Sequence, residues 1–299
     1  MSKPRSILGR LKAKFALKRL RKIWAHQYKC VKQRFCLPVC PDKTVLFILG
    51  SQRSGTNMTV ALFEEDFRTK TYGEYSVLSS QDRAEKLCLN PPEDVKSHLA
   101  KDRAPIIVLK PLVESHGALA LLEAYPNSKV LWSFRHYKDV VSSAVKNFKG
   151  STLIFNLRTI VEQSPNWRNK NVGPEVREVV VRHFSADMPP FDAAALSWWV
   201  RNTFFFSQKL ADNSRARMCK YEDLVVDPPK IMGQIYDFLG HDMPADCGYG
   251  QSHTRSLGKG KHVELSPAIK ELCDDMWAKL NEAYDNQQME ERVPDTKSG

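Results

Sequence analysis

The amino-acid sequence predicts an α/β fold, a single domain with a central parallel β-sheet flanked by helices. Short apolar runs alternate with longer amphipathic stretches, and each of the first three runs leads directly into a polar loop or a cationic residue. Such alternation builds parallel sheets with right-handed crossovers. With 299 residues, of which 42% are hydrophobic, the chain can bury one large core. We therefore expect one domain at 42–286, a basic amphipathic arm at 1–41 and a polar tail at 287–299.

The first predicted strand, at 45–49, is a continuous apolar run, which indicates burial on both of its faces. Gly50 ends this strand, and a polar loop leads into a helix at about 57–67. A strand, a tight loop and a helix together present backbone N–H groups and a helix N-terminus to an anion. We call this segment the anion loop and expect ligand contacts from Ser51, Gln52, Arg53, Ser54, Gly55, Thr56 and Asn57.

The anion loop is P-loop-like without being a Walker P-loop. Gly50 and Gly55 have the GxxxxG spacing, but Thr56 and Asn57 stand where a Lys and a Mg²⁺-binding hydroxyl follow in that motif. A nucleotide or sugar kinase is therefore the alternative enzyme class rather than the first choice. The alternative structural interpretation is a Gly/Ser turn that only caps a helix.

The later elements continue the alternation. Strands are expected at 105–109, 128–134 and 217–220, and helices at about 116–124, 138–148, 193–210 and from 227 onwards. We interpret residues 79–104 as helices and loops over the site, and residues 149–192 as a polar insertion on the substrate side. The tail after Tyr284 is polar, which predicts a frayed end.

A second anion-binding group is predicted after the third strand. Arg135 follows that strand directly, and Ser143 lies eight residues later in the next helix. Ligands of open α/β sheets bind beyond the carboxyl ends of the strands, so this group falls on the same edge as the anion loop. One ligand with two separated phosphate groups would explain both. The alternatives are an ion pair between Arg135 and Asp139, and close helix packing at Ser143.

Three segments resemble motifs of the PAPS-dependent sulfotransferase family. Residues 53–57 are similar to the family's 5′-phosphosulfate loop, residues 135–143 to its 3′-phosphate motif, and residues 220–228 to a segment near the adenine. Residues 255–261 more weakly resemble the loop that closes over the 3′-phosphate. The four matches occur in the family's order along the chain.

The resemblance implies transfer of the sulfuryl group of 3′-phosphoadenosine-5′-phosphosulfate (PAPS) to a hydroxyl or amine acceptor, without a metal. Beyond the anion loop, it implies nucleotide contacts from Arg135, Ser143, Tyr221, Arg255, Gly258, Lys259 and Lys261. For Arg255, Lys259 and Lys261, a solvated basic loop is the alternative. Arg53 would act on the bridging oxygen and the leaving 5′-phosphate. Lys110, at the end of the second strand, is expected to contact the transferred sulfate.

The acceptor hydroxyl needs a base within hydrogen-bonding reach. Glu74 is the first choice, because Gly73-Glu74 resembles the Gly-Glu that follows the phosphosulfate loop in the protein-tyrosine branch of the family. The alternatives are Glu114 and His116, just after the second strand. For each of the three, a surface charge or a helix cap is the structural alternative.

The sequence departs from the family pattern at three places, and these departures indicate which branch of the family it resembles. Asn57 replaces the second Thr of the loop, residues 58–60 lack the Trp that stacks on adenine in the cytosolic branch, and the His base of that branch has no match beside Lys110. The resemblance is therefore closer to branches that act on carbohydrates, lipids or proteins than to the phenol and steroid enzymes. We expect carbohydrate sulfation, with a glycan or glycolipid as the acceptor.

The net charge of +11 lies almost entirely in the N-terminal arm. Residues 1–34 carry twelve of the 45 Lys and Arg residues and none of the 34 acidic ones. The nearly neutral remainder is not expected to bind nucleic acid. The apolar spacing in residues 1–35 indicates a basic amphipathic helix suited to an anionic membrane surface. A helix packed on the body and a presequence-type targeting segment are the alternatives.

The sequence also predicts where the protein resides. No run approaches the ~20 apolar residues of a membrane span, and the start of the chain lacks a signal-peptide core. Seven cysteines, an odd number, indicate reduced thiols. We therefore expect a cytoplasmic protein that is peripheral on a membrane. A non-catalytic binding module tethered by the arm is the second alternative function.

Overall fold

A computed structural model describes residues 24, 27–38, 40–82, 87–245, 247, 249 and 254–290. Within these residues, five strands form one sheet in the order β2-β3-β1-β4-β5, and every neighbouring pair is parallel. The strands are β1 (Thr44–Gly50), β2 (Thr69–Tyr72), β3 (Ile106–Leu109), β4 (Ser128–Phe134) and β5 (Ala216–Lys220). The predicted α/β class with a central parallel sheet is confirmed.

Helices cover both faces of this sheet. They are α1 (residues 27–36), α2 (Thr56–Glu65), α3 (Pro92–Leu99), α4 (Ala118–Ala124), α5 (Tyr137–Asn147), α6 (Gly150–Val161), α7 (Pro174–His183), α8 (Pro190–Ser207), α9 (Tyr221–Val226), α10 (Pro228–Leu239) and α11 (Pro267–Glu290). Short 3-10 turns occur at Leu112–Gly117, Leu210–Asp212 and Thr254–Ser256. None of the helices in the described part of the chain is both long and apolar enough to cross a bilayer.

The central strand β1 is buried on both faces, as its apolar run predicts. Phe47 and Leu49 belong to a core shared with α5, α8 and α11. Leu46 and Ile48 belong to a core on the other face, shared with α2, α9 and α10. The strand therefore anchors the sheet between two helical layers, and the loop that follows it leaves from the middle of the sheet's edge.

Three parts of the fold differ from the prediction. Strand β2 was not predicted, because it is a short edge strand in which Lys70 and Thr71 are only half-buried and no apolar run marks it. The stretch 149–192, expected to be a polar insertion, contains the helices α6 and α7. Helix α11 continues past Tyr284 to Glu290, and the Gln287 side chain accepts a hydrogen bond from the β5 backbone (2.9 Å), which holds the helix there.

The end of the basic arm is part of the folded body. In α1, Lys29 Nζ donates to the Glu64 carbonyl (2.9 Å) and to Thr69 Oγ1 (3.0 Å). Gln33 Nε2 donates to the carbonyls of Phe67 (2.9 Å) and Thr69 (2.8 Å). The alternative of a helix packed on the body therefore holds for α1. The rest of the predicted amphipathic helix falls, except for Trp24, outside the described residues.

Candidate active site

The carboxyl ends of all five strands carry candidate site residues. Strand β2 leads into Glu74, β3 into Lys110, β1 into the anion loop, β4 into Arg135 and β5 into Tyr221. Because the strands are parallel, these ends meet at one edge of the sheet. They line a cavity of about 310 Å³, here called the nucleotide cavity.

The conformation of the anion loop depends on its two glycines. Gly50 and Gly55 have φ angles of 123° and 90°, in the left-handed region that favours glycine. A Cβ at Gly50 would overlap the Ser133 backbone, and one at Gly55 would overlap the Tyr221 ring. Ser115, which the sequence did not single out, bonds through its hydroxyl to both the N–H (3.0 Å) and the carbonyl (3.1 Å) of Gly50. The loop is therefore held against its neighbours on several sides.

The anion loop divides into supporting and lining residues. The hydroxyls of Ser51 and Ser54 are 2.5 Å apart and buried, so they support the turn from within. Helix α2 begins at Thr56, where the first N–H groups of a helix lack intrahelical acceptors and point towards a ligand. The members of the loop that line the nucleotide cavity are Gln52, Arg53, Gly55, Thr56 and Asn57.

The structure brings the two predicted anion groups together. Arg53 Nε donates a hydrogen bond to Ser143 Oγ on α5 (2.9 Å), and both residues line the nucleotide cavity. The two terminal nitrogens of Arg53 make no hydrogen bond to any residue that the structure describes. They therefore remain able to bind an anionic ligand.

Arg135 makes the ion pair that was considered as the structural alternative, and it also lines the cavity. Its Nη2 donates to Asp139 (3.1 Å) and to the Ser256 carbonyl (2.6 Å), and its guanidinium lies 4.3 Å from the Tyr221 ring centre. Its Nε is buried and has no hydrogen-bond partner among the described residues. A buried donor of this kind indicates a missing acceptor.

The segment 255–261 approaches Arg135 through its backbone rather than through its cations. Asp139 accepts hydrogen bonds from the N–H groups of Gly258 (3.0 Å) and Gly260 (2.7 Å), and the hydroxyls of Tyr221 and Ser256 are 2.7 Å apart. The residues of this segment that were expected to bind the nucleotide are exposed and do not line the cavity: Arg255, Gly258, Lys259 and Lys261. The structure therefore does not bring these side chains to the site.

Lys110 and Glu74 form an ion pair just beyond the carboxyl ends of the adjacent strands β3 and β2. Lys110 Nζ donates to Glu74 Oε2 (2.9 Å) and to Asn57 Oδ1 (2.6 Å). Only 7% of Lys110 is exposed, so the pair is largely shielded from solvent. The register that places Tyr72 opposite Leu109 sets Glu74 beside Lys110. Asn57, which departs from the family pattern, therefore serves as an acceptor for this lysine.

The two alternative bases lie elsewhere. Glu114 Oε1 accepts a hydrogen bond from the Leu89 N–H (3.0 Å). His116 is 2% exposed, its Nδ1 lies 2.7 Å from the Val113 carbonyl, and burial lowers its pKa to about 4. Neither residue lines the nucleotide cavity. His116 therefore lies outside the nucleotide cavity, because the 3-10 turn that carries it places the imidazole in the core.

Comparison with known proteins identifies the family. The family model for the sulfotransferase domain matches residues 43–275. This chain belongs to the sulfotransferase family. No curated protein sequence matches the chain.

Three solved sulfotransferase structures are similar to this sulfotransferase. The sulfotransferase domain from the curacin biosynthetic pathway has a TM-score of 0.53 and 16% identity, over 80% of this chain and 98% of its own. The corresponding domain from the Synechococcus PCC 7002 olefin synthase has a TM-score of 0.49 and 16% identity, over 82% and 98%. A sulfotransferase from Alicyclobacillus acidocaldarius has a TM-score of 0.49 and 12% identity, over 83% and 96%.

This sulfotransferase has a second cavity, of about 70 Å³, beside the nucleotide cavity. Both cavities are lined by Gln52, Arg53 and Phe148, so they adjoin at the anion loop. The walls of the second cavity come mainly from apolar side chains of α5, α6 and α8, and we call it the apolar cavity. Sequence reasoning assigned the aromatic residues of α8 to the core. A signal that could have indicated a site there is Arg201, the single cation of the largely apolar helix α8.

Proposed function

We propose that this sulfotransferase moves the sulfuryl group of PAPS to a hydroxyl acceptor and binds PAPS in the nucleotide cavity. The observation that carries the proposal is the hydrogen bond between Arg53 and Ser143, because it joins the two anion-binding groups in one cavity. PAPS bears phosphate groups at two positions of one ribose. Two such groups at one sheet edge suit PAPS better than they suit a ligand with a single phosphate.

The residues of the nucleotide cavity fit the two phosphates. In the proposal, the 5′-phosphate binds the anion loop and the N-terminus of α2, and the 3′-phosphate binds Arg135 and Ser143. An anionic oxygen would satisfy the buried Nε of Arg135 through a charge-assisted hydrogen bond. The Tyr221 ring contacts Arg135 and packs against Gly55, so it fixes the spacing of the two phosphate sites.

Transfer requires charge neutralisation and removal of one proton. The acceptor oxygen forms a new bond to sulfur while the bond from sulfur to the bridging phosphate oxygen breaks. Arg53 stabilises the negative charge that grows on the departing 5′-phosphate, and Lys110 stabilises the sulfate oxygens. Glu74 accepts the proton of the attacking hydroxyl. The ion pair of Lys110 with Glu74 holds both groups in place before the substrates bind.

Of the two acceptor classes expected from the sequence, we propose a glycolipid rather than a free glycan. The support comes from the apolar cavity, whose lining includes Phe148, Leu153, Leu157, Ile160 and Trp198. A free glycan has few apolar groups to place there. A lipid moiety would bury apolar surface against these side chains and gain about 25 cal/mol per Å².

A comparison of ligands tests the nucleotide assignment. We expect PAP, the desulfated product, to stabilise the protein by about 2.7 kcal/mol at a concentration one hundred times its dissociation constant, and to raise Tm by several degrees. Stabilisation by Mg·ATP without an effect of PAP would favour the kinase.

Incubation with labelled PAPS and a panel of glycolipid, glycan and phenolic acceptors tests the transfer. Absence of both PAP binding and transfer would favour the non-catalytic module.

We further propose that the N-terminal arm binds the anionic surface of a membrane. On α1, Tyr28, Val31 and Phe35 are 55–79% exposed and recur at helical spacing, on the side that faces away from the body, and Trp24 is 70% exposed. The eleven cations of residues 1–34 other than Lys29, which is bonded to the body, supply attraction to anionic lipids. In this proposal the enzyme is peripheral on the cytoplasmic face of a membrane.

A further inference from the structure

The apolar cavity contains polar atoms that the proposed transfer chemistry does not use. Three residues on the described lining of this cavity each have a buried side-chain atom without a hydrogen-bond partner: Ser197 Oγ, Trp198 Nε1 and Arg201 Nη1. All three residues line the apolar cavity, and they occupy neighbouring positions on α8. Trp198 as a whole is only 2% exposed. Each of these atoms is able to donate a hydrogen bond, and buried donors of this kind are normally paired with an acceptor.

Arg201 is held firmly in its position. Its Nη2 donates to the Leu112 carbonyl, and its guanidinium lies 5.4 Å from the Trp167 ring centre and 5.5 Å from that of Phe204. Burial lowers the pKa of Arg201 to about 10, an effect larger than the opposite influence of Glu114 and Glu74. The guanidinium therefore remains charged at neutral pH, with one buried nitrogen unpaired.

The charge of the apolar cavity favours an anion. Its lining includes Arg53, Arg168 and Arg201, and no carboxylate occurs among the described lining residues. Arg168 Nε donates to the neutral Asn156 side chain (2.6 Å), which leaves its charge uncompensated. Burying an unpaired cation is costly, whereas an anionic oxygen would form charge-assisted hydrogen bonds with these groups.

The size of the cavity restricts the ligand. A dry cavity of about 150 Å³ is known to hold benzene, whereas this one measures about 70 Å³. It therefore suits a narrow aliphatic segment with a small planar carboxylate better than a ring.

We propose that the lipid moiety of the glycolipid acceptor is acidic, with a carboxylate on a narrow aliphatic segment bound by Ser197, Trp198 and Arg201. The inference rests on the proposed function, because the apolar cavity adjoins the nucleotide cavity at Arg53 and Phe148. The acceptor's hydroxyl would lie towards the nucleotide cavity and its carboxylate within the apolar cavity. The carboxylate would be a recognition group and would take no part in the transfer.

The wild-type enzyme allows a direct test with labelled PAPS. The acceptors are ω-hydroxy carboxylic acids of graded chain length, with the matched diols, ω-hydroxy amides and ω-hydroxyalkyl phosphates. At the best chain length we expect kcat/KM for the acid to exceed that for the diol by about 10- to 100-fold, as a charge-assisted hydrogen bond implies. Equal values for acid and diol would overturn the proposal. A preference for the phosphate would overturn the carboxylate assignment.

Variants test which residues produce the preference for the acid over the diol. Arg201→Gln is expected to reduce the acid-to-diol ratio of kcat/KM by about 10- to 100-fold. Ser197→Ala removes a small side chain with little risk to folding and is expected to reduce the ratio by about 2- to 10-fold. The matched control is Arg182→Gln on α7, which loses only an exposed ion pair with Glu178 and should keep the ratio. An unchanged ratio in both α8 variants would overturn the proposal.

The same measurements separate this inference from the proposed function. Transfer without a preference for acids, together with stabilisation by PAP, would reject the acidic acceptor and leave sulfuryl transfer in place. Absence of PAP binding and of transfer to every acceptor would reject both.

Discussion

Arg53 is fixed on one side only. Its Nε donates to Ser143 Oγ (2.9 Å), which leaves the terminal nitrogens without a hydrogen-bond partner among the described residues. We predict that Ser143→Ala lowers kcat/KM for PAPS by about 10-fold, because it removes both the support of Arg53 and a contact to the 3′-phosphate. Steady-state kinetics and PAP titration would measure the two effects.

The adjacent residue offers a matched control for this prediction. Ser142 lies on the same helix, but its hydroxyl bonds to the Lys259 carbonyl (3.3 Å) and does not line the cavity. Ser142→Ala should leave the affinity for PAP near that of the wild type. Equal losses in the two variants would mean that the helix, rather than the hydroxyl of Ser143, matters for binding.

Single-residue variants also test which carboxylate acts as the base. Glu74→Gln removes the proposed proton acceptor but keeps a side-chain oxygen for the hydrogen bond from Lys110. We predict a loss in kcat of about 10²- to 10⁴-fold with PAP binding retained. Glu114→Gln should have little effect, because Glu114 bonds to the Leu89 backbone outside the cavity. A larger loss in kcat for Glu114→Gln than for Glu74→Gln would reverse the assignment.

The buried His116 predicts a pH dependence of stability rather than of catalysis. Its pKa is about 4 in the folded protein, against 6.5 for the unfolded chain. Between pH 4 and pH 6.5 only the unfolded state binds the proton. The free energy of unfolding is therefore highest above pH 6.5 and falls as the pH drops towards 4. The free energy linked to this shift is about 3 kcal/mol.

Denaturant unfolding at several pH values tests this prediction. The variant His116→Gln should be less stable than the wild type at neutral pH, because it perturbs a packed site. Between pH 6.5 and pH 4, its free energy of unfolding should then fall by about 3 kcal/mol less than that of the wild type. Identical slopes of stability against pH in the two proteins would show that another group is responsible.

At the scale of elements, the strands that were predicted are those with apolar runs. Strands β1, β3, β4 and β5 lie in the interior of the sheet or against α11 and carry buried residues throughout most of their length. Strand β2 has only four residues, two of them half-buried, so no hydrophobic pattern marks it. Yet it is the element that sets Glu74 beside Lys110. The resemblance supplied Glu74 as a candidate, and only the fold supplied its neighbours.

Helix α1 has two faces with different roles. Lys29 and Gln33 attach one face to the body, whereas Tyr28 and Phe35 on the other face are 70% and 79% exposed. We predict that the double variant Tyr28→Ser, Phe35→Ser weakens cosedimentation with phosphatidylserine-containing vesicles by about 10-fold or more, because each aromatic side chain is worth about 1.5–3 kcal/mol when buried.

Two controls accompany the vesicle experiment. Val181→Ser changes a 50% exposed residue on α7 and should not alter binding. Vesicles of phosphatidylcholine alone should bind the wild type weakly, since the basic arm needs anionic lipid. Unchanged binding of the double variant to anionic vesicles would contradict the assignment of this face to the membrane.

For the whole molecule, the sequence predicted the groups at the edge of the sheet better than their partners. Arg53, Gly55 and Arg135 could be found because local turn chemistry and strand ends mark them. The contact of Lys110 with Asn57, and the attachment of residues 255–261 to Asp139, join distant parts of the chain. Such contacts depend on the packing of helices on the sheet, and no local pattern encodes them. The apolar cavity was missed for the same reason.

The attachment of α1 predicts how far the arm can be shortened. Deletion of residues 1–26 should leave the free energy of unfolding nearly unchanged, whereas deletion of residues 1–37 should lower it by about 2–5 kcal/mol. The second deletion removes Lys29 and Gln33, which donate to Glu64, Phe67 and Thr69 where α2 ends and β2 begins. Because β2 leads into Glu74, the longer deletion should also reduce turnover. Thermal unfolding and transfer assays on both truncations would test this, and equal stability of the two would show that α1 is not part of the folding unit.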